Sequence, residues 1–121
     1  MLNCLAVGAG GCIGSVLRYL IGLIDLKESV IFPYKTLAIN VIGSFFIGLI
    51  VALALKNHEV DPRLILFLKV GICGGFTTFS TFALESVQLF QTQKIAAALL
   101  YIVLSIVLSI LAIFLAQSMV K

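Results

Sequence analysis

Residues 71–85 read GICGGFTTFSTFALE. Adjacent glycines, Gly74 and Gly75, precede four hydroxyl side chains, Thr77, Thr78, Ser80 and Thr81, interleaved with Phe76, Phe79 and Phe82. The stretch lies inside a longer apolar run, yet it makes a poor continuous helix. Gly costs about 1 kcal/mol relative to Ala, and threonine is restricted in its rotamers. The pattern predicts a helix broken over residues 74–78. Unwound backbone at membrane depth persists only where protein or an ion satisfies its carbonyls, and broken helices of this kind commonly coordinate monovalent cations. A glycine-rich packing face with back-bonded hydroxyls is the competing reading.

Working outward, the chain is 62% hydrophobic and 11% charged, with mean hydropathy +1.25. A soluble domain is about 45–50% apolar and about 25% charged, so a soluble monomer is excluded. A spanning helix needs about 20 apolar residues, and residues 2–24, 36–55, 64–90 and 95–116 qualify. Residues 1–121 are therefore read as a single four-helix transmembrane domain. The runs are continuously apolar rather than alternating, which favours helices over barrel strands. Asp61 followed by Pro62 is an N-cap and first helical position for the third span. Flanking cations barely bias orientation: Lys56, Arg63, Lys69 and Lys121 fall on one side, and Lys27, Lys35 and Lys94 on the other. Such a chain is able to insert both ways round or to pair with an oppositely oriented partner.

Polar residues recur within the spans. Thr36, Asn40, Ser44, Gly48 and Ala52 share one face of the second span, which suits close packing through small residues. Asn40 fits that role less well, because its buried amide needs partners, either an interhelical hydrogen bond or an anion. Tyr101, Ser105 and Ser109 stand at i, i+4 and i+8 on the fourth span, although mid-helix serine often bonds back to its own backbone. In the first span, Gly10 with Gly14 and Gly11 with Ser15 form small-x-x-x-small pairs. Arg18 follows them, an intramembrane cation that implies a vestibule or a polar partner. Lys69 and Glu85 lie near the two ends of the third span, each within snorkelling reach of an interface.

Several classes fall away. The few charges form no basic stripe, so nucleic acid is not a partner. Cys4, Cys12 and Cys73 lack metal-ligand spacing and are read as small buried apolar residues. His58 is the only histidine and lies in a loop, without a nucleophile–base pair or metal cluster, so the chain carries no catalytic residues and is not an enzyme. A proton-coupled multidrug carrier of four short helices is the main rival, but it needs an embedded carboxylate, and the first, second and fourth spans have none.

Taken together, GGCIGSVLRY in the first span, TLAINVIGSFFIG in the second, GICGGFTTFSTFALE in the third and the Tyr101, Ser105, Ser109 track in the fourth resemble the Fluc (CrcB) fluoride channels over nearly the whole chain. The resemblance implies an all-α membrane protein with four transmembrane helices per subunit, a broken third helix and an antiparallel dual-topology dimer. It further implies passive fluoride export through two pathways across the cell inner (plasma) membrane, a multi-pass location in the lipid bilayer. The partner would be a second copy of the chain, giving a homodimer, or a related unlike subunit, giving a heterodimer. Carried over residue by residue, the carbonyls of Gly74 and Thr77 would bind a structural sodium ion (Na+) at the dimer centre. Phe79 and Phe82 would line the pore, Asn40 would be its amide, and Thr36, Ser80, Thr81, Tyr101, Ser105 and Ser109 its polar track. Arg18 would be a vestibule or structural residue. The chemistry is consistent with that role, because fluoride is small and strongly hydrated. Neutral amide and hydroxyl donors replace its water, aromatic edges present positive quadrupole, and a buried full cation would hold it too tightly.

Overall fold

In hydrocarbon there is no water for the backbone, so a spanning segment must satisfy its own amides. The computed structural model, which describes residues 1–27 and 31–121, is accordingly helical along its four apolar runs, with one interruption in the third. Helix α1 covers Leu2–Gly22 and α2 covers Tyr34–Lys56. The third span, Pro62–Gln91, is composite: a short α3 (Pro62–Ile65), a π-helical stretch π1 (Leu66–Cys73), a single turn α4 (Gly74–Phe76), an interruption, and α5 (Phe79–Gln91). Helix α6, Ile95–Met119, completes the bundle. Asp61 caps the third span as its sequence predicts, its carboxylate accepting from the Arg63 N–H at 2.8 Å with Pro62 in the first turn.

α1 packs along π1 and α4, while α2 packs along α6, and α5 also packs on α6. Lipid tails are as apolar as leucine, so helices in a bilayer associate by close van der Waals approach rather than by hydrophobic burial. The buried residues are correspondingly small. Only Gly10 and Gly14 are buried in α1, and α6 buries Ala98, Ser105, Ala112 and Ala116 around Tyr101. A Cβ on Gly14 would collide with the Ile72 carbonyl and lie 2.8 Å from the Phe76 nitrogen, and one on Gly75 would lie 2.6 Å from the Gly11 carbonyl oxygen. Large apolar side chains such as Leu5, Phe46, Leu84 and Phe114 face outward.

The two ends of the bundle sort the cations as the loop reading expects. Lys35 donates to the Gly22 carbonyl at one end, at 2.9 Å, while Lys56 donates to the Val120 carbonyl at the other, at 3.1 Å. Two expectations are corrected. The break is narrower than residues 74–78: Gly74–Phe76 stays helical, and only Thr77 (ψ 157°) and Thr78 (φ −149°, ψ 118°) are extended. Gly75 serves the approach to Gly11 instead of unwinding the chain. Cys4 and Cys12 are exposed on α1, and of the three cysteines Cys73 is the buried one.

The contact map of α1 yields a paired prediction. Gly14→Val drives a side chain into the backbone of the third span and should cost about 3 kcal/mol, giving aggregated protein on gel filtration in detergent. Gly8→Ala meets nothing within 4 Å and should leave the elution profile and thermal midpoint unchanged.

Candidate functional site

Breaking a helix orphans backbone groups on both sides of the gap, and the disposition of these groups defines the site. The Thr77 N–H and its hydroxyl both donate to the Cys73 carbonyl, at 3.0 and 2.9 Å, closing the first half-helix. Thr78 caps the second: its Oγ1 accepts from the Thr81 N–H at 3.2 Å and donates to Thr81 Oγ1 at 3.0 Å. Between them, Asn40 of α2 reads the Thr78 backbone as a neighbouring strand would. Its Nδ2 donates to the Thr78 carbonyl at 3.0 Å, and its Oδ1 accepts the Thr78 N–H at 2.8 Å. Gly43, one turn on, leaves room for Thr77, whose methyl a Cβ there would strike.

Asn40 thus makes the interhelical hydrogen bond, but that uses one of its two amide hydrogens. The residue also lines an inner cavity of about 290 Å³ together with Ser44, Thr77, Thr78, Phe79, Phe82, Ser105 and Ser109. No charged side chain lines it among the described residues. Phe79 and Phe82 sit with ring centroids 5.6 Å apart at 52°, and Phe82 continues to Tyr101 at 5.2 Å. Ser105 does not bond back to its helix. Its Oγ and the Tyr101 hydroxyl are buried without a hydrogen-bond partner among the described residues, in residues that are 7% and 0% exposed. An unsatisfied buried donor costs about 1–3 kcal/mol, so both hydroxyls stand ready for a ligand. Gly74 and Thr77 also lose their helical donors. The Thr78 N–H that would serve the Gly74 carbonyl goes to Asn40, and the Thr81 N–H that would serve Thr77 goes to Thr78 Oγ1. Two carbonyls so deprived match the donor chemistry of a monovalent cation.

A second, wider cavity of about 700 Å³ opens at the end of the bundle where α1 finishes and α2 begins. Ser15, Arg18, Lys35, Thr36, Thr78, Thr81 and Glu85 are among its lining, and Thr78 belongs to both cavities. Arg18 Nε donates to the Gly75 carbonyl at 3.2 Å, satisfying an orphan of the first half-helix with a cation suited to its negative end.

Most of the residues singled out from sequence therefore converge. Thr36, Thr81 and Arg18 line the mouth, Asn40, Phe79, Phe82, Ser105 and Ser109 the inner cavity, and Tyr101 the packing between them. Ser80 departs from expectation: it is exposed and lines neither cavity, because one residue past Phe79 rotates it about 100° around α5, away from the cavity walls. Glu85 also departs, since it accepts a hydrogen bond from Thr36 inside the mouth instead of snorkelling free. Its position one helical turn after Thr81 was the available signal. Thr78 went unassigned in sequence because its pairing with Asn40 is made by its backbone, which residue type does not reveal.

Comparison with known proteins places this geometry in a family. Residues 5–117 match the family described as CrcB-like protein, Camphor Resistance (CrcB). Relatives named fluoride-specific ion channel FluC include one from Agrobacterium fabrum, 44% identical over 115 residues that cover 94% of this chain and 92% of the relative. Another, from Ruminiclostridium cellulolyticum, is 44% identical over 122 residues covering 100% and 94%, and one from Azobacteroides pseudotrichonymphae is 44% identical over 110 residues covering 90% and 88%. With the match spanning all four membrane-length helices, the chain belongs to the CrcB-like family.

Proposed function

We propose that the chain is a fluoride-selective channel that lets fluoride leave the cell passively. One observation carries the reading: an inner cavity whose described lining bears no charge presents neutral donors without partners among the described residues, the buried Ser105 hydroxyl and the second Asn40 hydrogen, beside the Phe79–Phe82 pair. Each donor replaces a water of a small anion, and ring edges add positive quadrupole without the tight hold of a cation. Arg18 and Lys35 at the mouth raise the local anion concentration by their field. The relatives' printed name, fluoride-specific ion channel, agrees.

Assembly belongs to the same proposal. The near-even split of flanking cations suits a dual-topology dimer, in which two copies meet antiparallel and each supplies a pathway. A homodimer is the simplest form, in the plasma membrane. The Gly74 and Thr77 carbonyls, having lost their helical donors, would hold a sodium ion at the dimer centre. When bound it supplies positive charge to carbonyls that hydrocarbon cannot satisfy, a structural role.

Liposomes loaded with fluoride or chloride and given a counter-ion path should empty of fluoride alone, as read by ion-selective electrodes. Equal chloride release, or a requirement for a proton gradient, would replace the channel with an unselective pore or a coupled carrier using Glu85.

Asn40→Asp puts a negative charge beside the route. At about 4 Å and an effective dielectric constant of about 20 this repels an anion by about 4 kcal/mol, so flux should fall about a thousandfold. Phe79→Ile and Phe82→Ile should each slow fluoride at similar bulk, and normal rates in all three variants would move the pathway elsewhere.

Exhaustive replacement of sodium by a large organic cation should lower the thermal midpoint of the detergent-solubilised dimer, and restoring sodium should recover it. An unchanged midpoint would remove the ion from the assembly.

A further inference from the structure

Tyr101 is the largest fully buried side chain among the described residues, and rings grip it from two sides. Phe82 of α5 lies 5.2 Å away at 52°, and Phe32, from the connection before α2, closes on it edge-to-face at 5.6 Å and 86°. Phe32 lines the mouth, whereas Phe82 lines the inner cavity. The tyrosine ring therefore stands between the walls of the two cavities, and its hydroxyl lies within reach of Thr36 and Glu85 with no hydrogen bond of full geometry to any described residue. Thr36 already donates to Glu85. With no well-formed hydrogen bond among the described residues to orient the phenol, ring packing is what holds its angle.

The sequence around Phe32 is built to hold that ring still. Pro33 restricts the residue before it to extended backbone. The Phe32 carbonyl accepts the Tyr34 N–H at 2.8 Å, and the Pro33 carbonyl accepts the Leu37 N–H of α2's first turn at 3.2 Å. Tyr34 adds a ring contact to Phe32 at 4.8 Å and 47°.

We propose that Phe32 is a positioning residue for anion passage: its edge-to-face contact holds the Tyr101 ring so that the phenol hydroxyl serves as a donor where the mouth meets the inner cavity. The inference rests on the fluoride-channel reading and deepens it, assigning the α1–α2 connection a part in the pathway. Phe32 acts through Tyr101 and need not touch the ion. A leucine of similar bulk fills the space but lacks the edge that sets the ring's angle.

The test uses the full chain in liposomes at matched protein density, with fluoride release read by electrode. Phe32→Leu should slow release about tenfold, the scale of losing one aromatic pair, while Phe32→Tyr restores it. Because the effect passes through the hydroxyl, Phe32→Leu added to Tyr101→Phe should cause no further loss. Wild-type release from Phe32→Leu, or losses that multiply in the double variant, would overturn the proposal. A wild-type chain that releases no fluoride would overturn the channel reading, a different outcome. Ring-labelled tyrosine NMR of detergent-solubilised protein judges the contact independently of flux and of any variant that assembles poorly in liposomes. Tyr101 ring flips should be faster in Phe32→Leu and in Phe32→Met than in wild type, and unchanged flips would overturn the proposal.

Discussion

The reciprocal pairing of Asn40 with Thr78 is the interaction on which the site depends. A spanning helix can be interrupted in hydrocarbon only if something else accepts and donates in place of the missing turn. A single carboxamide does both here, at 2.8 and 3.0 Å. No other short side chain carries an acceptor and a donor at that separation, apart from its one-methylene homologue glutamine. By diverting the Thr78 N–H, the amide also leaves the Gly74 carbonyl without its helical donor, so the device that stabilises the break creates the unsatisfied carbonyl beside it.

Everything that holds the break in place is short. Gly43 brings α2 against Thr77, and Gly10, Gly14 and Gly75 let α1 lie on the third span's backbone. That approach puts Arg18 within reach of the Gly75 carbonyl at 3.2 Å. The first half-helix is then closed by a cation from α1 and by the Thr77 hydroxyl, and the second by the Thr78 hydroxyl. Close packing and polar satisfaction are one constraint in this bundle, since a side chain larger than hydrogen at those positions would pull the donors away from the groups they serve.

Much of this was legible in sequence because it follows from length and period. Continuous apolar runs determine helices and their number, Asp61–Pro62 marks a start, and the spacing of Tyr101, Ser105 and Ser109 puts them on one face. The interruption was legible from GGFTTFST, but not its extent. Glycine permits unwinding without requiring it, and at Gly75 the requirement was proximity to Gly11. Glu85 was read as an interfacial carboxylate and Phe32 was not singled out, because their roles depend on partners distant in the chain, Thr36 for one and Tyr101 for the other. Such pairings have no local period. Ser80 shows the converse, a hydroxyl that shares its neighbours' composition and not their face.

The distribution of charge along the route completes the physical picture. Full charges, Arg18, Lys35 and Glu85, occur at the wide mouth, and the described residues around the inner cavity are neutral. At the mouth water screens them, so a cation there raises the local anion concentration without trapping the ion. Inside, screening is lost and a lysine would bind a small anion too strongly to release it, while an unpaired carbonyl would repel it. Hydroxyls held without partners occupy the useful middle ground, each worth little alone and able to rotate as an ion moves from one to the next. Their cost to stability is about 1–3 kcal/mol apiece. Tight glycine packing elsewhere in the bundle sustains that cost, which is why the least polar surfaces of the chain bear directly on the behaviour of its most polar cavity.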